Sequence, residues 1–340
     1  MSVGCDVGTC FLCSARPGEN NSIKIKSIRD AFLDLDNEPQ VKNMLKLSKT
    51  DFIEAGEKIY VIGDPAVVLA NIFRKEARRP MSRGVLSPGE LEAEKVLLVL
   101  LETILGKCPA ATPEICFYSV PAAATDMDMD VIYHGAMFSK LIGQLGYKPV
   151  SLNEAAAISY SNAAPENFSS LSISWGAGMV NICLMYQTII GMSFSLARSG
   201  DWIDASAAKS TGTTASRIQA IKERGIDLMD PTKGDPKTQR EREAINVYYK
   251  SLILYALDAI RQEFLKKQGT IDLPASIPII LSGGTALAGN FLEFFKTAFD
   301  SIKDKFPIPI STIRMASDPL NAVAQGLLVA ALNYDEAHRG

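Results

Sequence analysis

The chain has 340 residues, 47% of them hydrophobic, and a formal net charge of −3. This length supports a sizeable core and two or more domains, and the slight acidity does not favour a direct nucleic-acid partner. No apolar run approaches the roughly 20 residues of a membrane helix, and no signal peptide is recognisable. Six cysteines in so long a chain do not resemble a secreted disulfide framework. We therefore expect a cytoplasmic protein without a transmembrane segment.

The chain begins with a predicted β-hairpin formed by residues 2–6 and 11–15. Its turn contains Gly8-Thr9, and a glycine turn of this kind can hold a phosphate group. The same segment carries three cysteines with the C-x4-C-x2-C spacing of a plant-type iron–sulfur site, namely Cys5, Cys10 and Cys13. Because these cysteines lie on two strands that flank the turn, and no fourth cysteine has a matching spacing, we favour the phosphate-binding hairpin.

Further along the chain, alternating apolar residues, buried apolar runs and helical spacing predict a succession of strands and helices. Residues 74–88 are basic and rich in glycine and proline, which is typical of an exposed loop. This loop is either solvated or forms a contact between subunits. The predicted strands are residues 23–28, 58–62, 115–120, 149–152, 170–175, 180–186, 189–197, 277–281 and 308–313, and the predicted helices are residues 66–73, 89–105, 126–145, 154–161, 206–224, 241–267, 287–299 and 321–332.

Two similar halves follow one another in this succession. Each begins with a hairpin that has a glycine-containing turn, at residues 6–9 and 174–178, and each continues through strands and then helices. We therefore predict an α/β fold with a duplicated mixed-sheet core, an insertion in each half and a cleft between the halves. The predicted division assigns residues 1–19, 84–165 and 320–340 to the first core lobe, 20–83 to its small insertion subdomain, 166–205 and 277–319 to the second core lobe, and 206–276 to the insertion of that lobe.

Three glycine turns at strand ends point to phosphate binding. Glycine allows backbone N–H groups to approach an anion closely and adopts dihedral angles that other residues avoid. Each turn alone is a weak signal, and the chain has neither the Walker-type nor the Rossmann-type glycine pattern. The three turns are Gly8-Thr9, Gly176-Ala177-Gly178 and Gly283-Gly284.

The order of these motifs resembles that of the actin/Hsp70/sugar-kinase superfamily of ATPases, and within it the MreB/ParM/MamK-like branch of prokaryotic actin-like proteins. The resemblance covers nearly the whole chain and depends on the set of motifs rather than on any one of them. It implies an actin-like (RNase H-like) fold that binds ATP or ADP with Mg²⁺ in the interdomain cleft. The motifs are CDVGT at residues 5–9, SVP at 119–121 with TDMD at 125–128, NEAAA at 153–157, WGAG at 175–178, SGDWID at 199–204, LSGGT at 281–285 and DPLNAVAQG at 318–326.

The resemblance assigns catalytic and metal-binding roles to three acidic residues. Asp6 ends an apolar strand, where a carboxylate needs a cationic partner, and it would orient water bound to Mg²⁺. Asp128 would position the attacking water, although the three acids Asp126, Asp128 and Asp130 equally suit the positive end of a helix dipole. Glu154 would either reach the water shell of the metal or cap its helix.

The resemblance also implies a set of nucleotide contacts. The backbone of Gly8, Thr9 and Cys10 would bind the β- and γ-phosphates, and Lys222-Glu223 would contact the base or ribose unless it forms a solvated helix face. ATP rather than GTP is expected from the resemblance alone. The complete set of expected contacts is Gly8, Thr9, Cys10, Ser174, Gly176, Ala177, Gly178, Asp201, Lys222, Glu223, Gly283, Gly284 and Thr285.

Ser174 departs from the family pattern, because relatives carry an aspartate before the second glycine turn. A hydroxyl would hold Mg²⁺ and the catalytic water less firmly than a carboxylate. Two interpretations follow. Either hydrolysis is slow, or the handling of the metal depends on Asp6, Asp128 and Glu154.

The length of the chain and its two modest insertions suit a filament-forming actin. We expect a protein that polymerises with itself when ATP is bound and disassembles after hydrolysis, with a role in cell organisation or in DNA or plasmid segregation. An adaptor or cargo protein would be a further partner. The alternative is a non-polymerising, ATP-dependent regulator or reactivating factor of the same fold with weak hydrolysis.

Overall fold

Two five-stranded mixed sheets form the framework of the computed structural model. The structure describes residues 2–73, 75–87, 89–109, 112–267 and 275–337. The strands are β1 (Ser2–Val7), β2 (Phe11–Pro17), β3 (Ile23–Arg29), β4 (Phe32–Asp36), β5 (Phe52–Ala55), β6 (Lys58–Ile62), β7 (Met81–Ser82), β8 (Val85–Leu86), β9 (Ile115–Val120), β10 (Lys148–Asn153), β11 (Ser170–Trp175), β12 (Val180–Tyr186), β13 (Ile189–Leu196), β14 (Ile277–Ser282) and β15 (Ile310–Met315). The helices are α1 (Pro39–Leu47), α2 (Asp64–Ile72), α3 (Ala93–Leu105), α4 (Val131–Gln144), α5 (Glu154–Asn162), α6 (Gly200–Thr211), α7 (Ala215–Glu223), α8 (Gln239–Lys266), α9 (Phe291–Asp300) and α10 (Ala322–Ala337).

The two large sheets have the same topology. The first has the order β10-β9-β1-β2-β3, and the second has the order β13-β12-β11-β14-β15. In both, the first strand pairs antiparallel with the second and parallel with a later strand. The same hydrogen bond closes both hairpin turns, from Gly8 N to Phe11 O at 3.1 Å and from Gly176 N to Met179 O at 2.9 Å. The predicted duplicated α/β core is therefore confirmed.

A smaller three-stranded sheet, of order β4-β6-β5, lies within the predicted first insertion. With α1 and α2 it encloses a core of its own that includes Leu33, Leu45 and Ile59. Sequence analysis missed β4, α1 and β5. Strand β3, which the predicted boundaries assign to the insertion, pairs with β2 along its whole length. The division into lobes stays a prediction, and this pairing favours an insertion that begins after Arg29.

The predicted exposed loop at residues 74–88 was wrong in its central part. Strands β7 and β8 form a two-stranded ladder there, with Met81, Val85 and Leu86 buried. The apolar side chains of this short ladder pack into the core. The sequence pattern of these two strands is hard to recognise, because basic residues surround it. Arg74 and Pro88, the ends of the predicted loop, lie outside the described residues.

Several predicted helices have other bounds than expected: α3 and α9 each begin four residues later, α10 ends five residues later, and two helices differ more. Helix α4 begins at Val131 rather than at residue 126, because the Asp130 carboxylate accepts a hydrogen bond from Tyr133 N at 2.8 Å and caps it. The predicted helix at 206–224 is two helices, α6 and α7, separated by Gly212 in the left-handed conformation. No helix among the described residues is long and apolar enough to span a membrane.

Close packing of α5 against α10 holds the middle of the molecule together. Helix α5 presents three fully buried alanines, Ala155, Ala156 and Ala157, and Gly326 of α10 lies directly against it. A Cβ atom added at Gly326 would lie 1.7 Å from the carbonyl oxygen of Ala157. Only glycine allows this approach, and it fixes the helix that carries Glu154 at its first position.

We expect Gly326→Ala to destabilise the protein by about 2 kcal/mol or more, because the new methyl group would force the two helices apart. Gly143→Ala is the matched control. Its site in α4 is open, so the same substitution should be neutral or stabilise by about 0.5–1 kcal/mol. Urea denaturation followed by circular dichroism measures both. Equal free energies of unfolding for the two variants would contradict this account of the packing.

Candidate functional site

A cavity of about 500 Å³ lies where the glycine turns of the two sheets meet. Asp6 and Glu154 line it, together with all thirteen residues expected to contact a nucleotide. Their placement in one cavity is a finding, whereas their contact with a ligand stays a prediction. These thirteen are Gly8, Thr9, Cys10, Ser174, Gly176, Ala177, Gly178, Asp201, Lys222, Glu223, Gly283, Gly284 and Thr285.

The first two glycine turns offer unpaired backbone donors. Each turn is closed by the hydrogen bond described above, which leaves the N–H groups of the two central residues outside the strand ladders. Within the described part of the chain, these N–H groups have no acceptor. Such groups suit an anion, because backbone dipoles at a tight turn attract negative charge. The four residues are Thr9, Cys10, Ala177 and Gly178.

A third turn, between β7 and β8, packs against the two hairpins. Gly84 N donates to Thr9 Oγ1 at 3.0 Å, and Gly84 lines the cavity. A Cβ atom at Gly178 would lie 2.3 Å from Thr9 Oγ1 and 2.4 Å from Gly84 N, so only glycine allows the three turns to meet. Sequence analysis missed Gly84 as a cavity residue. The only available indication was a glycine in a loop that was predicted to be exposed.

The second turn is fastened to the start of α6 and to the third glycine motif. Asp201 N donates to Ala177 O at 2.8 Å, and Thr285 Oγ1 donates to Gly176 O at 2.8 Å. Gly283 has a φ of +98°, and a Cβ atom there would lie 2.4 Å from the carbonyl oxygen of Trp175. The second and third glycine turns therefore form one rigid unit.

Two carboxylates lie partly buried in the cavity wall. Asp6 accepts a hydrogen bond from Ser119 Oγ at 2.9 Å, and burial raises the pKa of Asp6 to about 6 despite this bond. Glu154 accepts hydrogen bonds from Ser174 Oγ at 2.8 Å and from Asn181 Nδ2 at 2.9 Å. Burial, and then the negative charge of Asp6, raise the pKa of Glu154 to about 8. The pair therefore favours the uptake of a proton or a cation.

The cap of α5 is Asn153, whose side chain accepts a hydrogen bond from Ala156 N at 3.0 Å. Of the two alternatives for Glu154, the capping role thus belongs to its neighbour. Asn181 is a cavity residue that sequence analysis missed. It lies on β12 directly opposite Ser174, and an asparagine within an otherwise apolar strand was the available signal.

Lys222 does not lie on a solvated helix face. Its Nζ is 2.8 Å from Asp204 Oδ1 in an ion pair whose side chains are 12% and 6% exposed, respectively. Glu223 is half exposed and lies 3.5 Å from Arg29 Nη1. Two of the predicted contacts are thus already engaged by protein charges at the cavity.

Asp201 is the third predicted contact that is paired with a protein charge. Its Oδ2 atom lies 2.7 Å from Arg79 Nη2. Sequence analysis selected neither Arg79 nor Arg29, which pairs with Glu223, because their meaning depends on which carboxylates the fold brings close to them.

Asp128 lies outside the cavity lining. It is exposed and borders a second, shallow depression formed by residues 123–129. Its two acidic neighbours are committed elsewhere: Asp130 caps α4, and Asp126 accepts hydrogen bonds from Ala197 N at 2.8 Å and from the Tyr255 hydroxyl at 3.1 Å. Asp128 itself has no such partner among the described residues.

The three N-terminal cysteines do not converge. Cys5 is buried beside Cys116, Cys13 Sγ is 3.4 Å from Asn321 Oδ1, and Cys10 Sγ is 3.7 Å from Arg29 Nη1. Burial raises the pKa of Cys10 to about 11, so its thiol stays protonated near neutral pH. Across the described ranges, no group of three or more metal-ligating side chains is close enough to hold a metal ion. The arrangement agrees with the hairpin interpretation.

Comparison with known proteins identifies the fold. The double helical filament of MamK has a TM-score of 0.69 and 15% sequence identity, over 97% of this chain and 98% of that one. MreB5 of Spiroplasma citri bound to ADP has a TM-score of 0.67 and 15% identity, over 99% and 98% of the two chains. A non-polymerising MamK mutant bound to AMPPNP has a TM-score of 0.57 and 16% identity, over 97% and 98%. The fold is therefore actin-like, as the motif order predicted.

Sequence comparison adds one match. A family model described as volactin matches residues 1–331. No curated protein matches the chain.

We expect the pH dependence of stability to report the desolvation of the partly buried Glu154. Its pKa is about 8 in the folded protein, against an ordinary value of 4.5 for glutamate. Between these two values the folded protein binds the extra proton, so stability falls as the pH rises. Glu154→Gln should make the free energy of unfolding decrease less steeply with pH. A single titrating group contributes at most about 1.4 kcal/mol per pH unit to this slope.

The measurement is urea denaturation between about pH 5 and pH 9, without nucleotide or divalent cations. Glu293→Gln, at an exposed position on α9, is the control and should keep the wild-type slope. If the free energy of unfolding of Glu154→Gln had the same slope against pH as that of the wild type, the Glu154 carboxyl group would not be desolvated.

Proposed function

The chain belongs to the volactin family, and from this membership, its actin-like fold and the geometry of its cleft we propose that it is a cytoskeletal ATPase that forms filaments in a nucleotide-dependent manner. It binds ATP with Mg²⁺ between its two halves, polymerises in that state and disassembles after hydrolysis. The observation that carries the proposal is the meeting of two equivalent glycine turns at one cavity, each with unpaired N–H groups.

In this proposal the polyphosphate lies between the turns at Gly8–Phe11 and Gly176–Met179, where four N–H groups are available to phosphate oxygens. The adenosine lies toward Gly283, Gly284 and Thr285, next to α7. The structure of MreB5 contains ADP and that of the MamK mutant contains AMPPNP, which supports a nucleotide as the ligand of this cavity.

The residues of the cavity fit a magnesium ion. Mg²⁺ is usually bound through one or two carboxylates, several waters and the phosphates of its nucleotide rather than by a cage of side chains. Asp6 would hold it or its waters, and Glu154 lies close enough for the charge of Asp6 to raise its pKa. Neither carboxylate has a cationic partner among the described residues. When bound, the ion would neutralise charge on the phosphates.

Hydrolysis needs a group that orients the attacking water, since phosphoryl transfer depends on positioning and electrostatics. We propose Asp128 for this role, because Asp126 and Asp130 are engaged elsewhere. Met127 supports the choice, because its sulfur lies 3.1 Å from Arg83 Nη1, next to the cavity residue Gly84. The role requires that the segment carrying Asp128 move toward the cavity when the cleft is occupied.

The partner in assembly is a second copy of the chain, by analogy with the MamK filament. The protein would act in the cytoplasm, in cell organisation or in the segregation of DNA or plasmids, with an adaptor or cargo protein as a further partner. The alternative function is a monomeric, ATP-dependent regulator with weak hydrolysis. The MamK mutant that does not polymerise and is bound to AMPPNP supports this alternative.

Light scattering and pelleting with Mg–ATP separate these two functions. We expect scattering to rise above a critical concentration, to require nucleotide and to decay as phosphate is released. Asp6→Ala should bind Mg–nucleotide more weakly and should shift assembly to higher nucleotide concentrations. Bound nucleotide with no assembly at any salt concentration would support the monomeric regulator, and no binding at all would overturn both functions.

Ser174→Asp tests whether the missing carboxylate limits hydrolysis. The new carboxylate would stand beside Glu154, where Ser174 now donates a hydrogen bond at 2.8 Å, and the two negative charges would hold Mg²⁺ more firmly. We expect faster phosphate release at saturating Mg²⁺ and lower stability without Mg²⁺. Ser174→Ala, which removes the hydroxyl but adds no charge, should not increase the rate. An unchanged or lower rate in Ser174→Asp would remove this explanation.

A further inference from the structure

We propose that Arg29 binds the phosphate groups of the nucleotide and exchanges its ion pair with Glu223 for this contact. The inference rests on the proposed function, since it concerns the same cavity. It assigns a direct binding role to a residue that belongs to none of the recognisable motifs of the chain.

Arg29 is placed beside the first phosphate turn by strand pairing. It is the last residue of β3 and lies opposite Phe11, the residue that closes the turn. Its guanidinium carbon lies 4.7 Å from the centre of the Phe11 ring, and Nη1 lies 3.7 Å from Cys10 Sγ. Stacking on the ring orients the flat guanidinium group, and Arg29 lines the cavity.

The ion pairs at the cavity differ in how exposed their acidic partners are. Lys222 is held by buried Asp204, and Asp201 is held by Arg79. Among the described residues that line the cavity, Arg29 is then the one cation whose acidic partners are exposed. Those partners are Asp64, at 2.7 Å with a side chain 71% exposed, and Glu223, at 3.5 Å with a side chain 50% exposed.

The exchange of Glu223 for phosphate is favoured by geometry and solvent. Exposed ion pairs contribute little, because water screens the charges and the side chains lose freedom. A guanidinium group donates two parallel hydrogen bonds to phosphate oxygens, and these bonds are stronger where the cavity excludes water. Release of Glu223 would leave its carboxylate with the hydrogen bond from Gln219 Nε2, at 2.9 Å, and with room to accept further bonds from the ribose hydroxyl groups.

The experiment compares the affinities of ATP, ADP, AMP and adenosine for the full chain by titration calorimetry. We expect Arg29→Gln to bind ATP and ADP about tenfold more weakly, because a charge-assisted hydrogen bond is lost. Adenosine affinity should stay unchanged. A structural role of Arg29 would instead weaken all four ligands equally, and that result would overturn the proposal.

Two further variants separate the proposed binding of phosphate by Arg29 from its ion pair with Asp64 on α2. Asp64→Asn removes the shortest ion pair of Arg29 and should keep or raise ATP affinity. If it reproduced the loss expected in Arg29→Gln, the proposal would be wrong. Arg29→Lys keeps the charge but not the paired donors, and we expect an intermediate ATP affinity, which gives a second test if Arg29→Gln folds poorly.

Arg261→Gln, at a surface ion pair on α8, controls for loss of a remote arginine. Wild-type protein that binds none of the four ligands would refute the proposed function itself. Wild-type binding together with an unchanged ATP affinity in Arg29→Gln would refute the role of Arg29 alone.

Discussion

Two carboxylates that lie partly buried in one cavity, without a cationic partner among the described residues, set the energetics of this site. Asp6 and Glu154 receive hydrogen bonds from Ser119, Ser174 and Asn181, yet burial still raises both pKa values, and the charge of Asp6 raises that of Glu154 further. Neutral donors reduce the cost of burying a charge but do not remove it. The cavity therefore favours a cation, and the cation–phosphate complex that we propose would satisfy the carboxylates and the free N–H groups together.

The duplicated fold makes this arrangement available. Each large sheet ends one of its hairpins at the cavity, and an equivalent hydrogen bond closes each turn, so two sets of N–H groups that suit an anion face one cavity. Close contacts hold the turns in place: Gly178 against Thr9, and Gly326 of α10 against Ala157 of α5. Because these contacts leave no room for a side chain at either glycine, small displacements of either half change the shape of the site directly.

Much of this architecture could be predicted from the sequence because its signals are local. The glycine turns, the two hairpins and the order of the motifs need only neighbouring residues, and all of the expected contacts line one cavity. Residues whose role depends on tertiary pairing were missed: Asn181 matters because β12 places it opposite Ser174, and Arg29 because β3 places it beside Phe11. Asp128 shows the reverse case, since a clear local motif does not place its side chain at the cavity.

The ion pairs at the cavity indicate how a ligand could act on the whole molecule. Arg79 follows α2 and pairs with Asp201 on α6, and Arg29 on the first sheet pairs with Glu223 on α7. Both pairs join elements of the first half to elements of the second across the cavity. A polyphosphate bound as we propose would add negative charge between these partners, and its hydrolysis would remove some of that charge, so the attraction between the halves would depend on the state of the nucleotide. A filament subunit that responds to hydrolysis needs such a link between the charge in its cleft and the relative position of its halves.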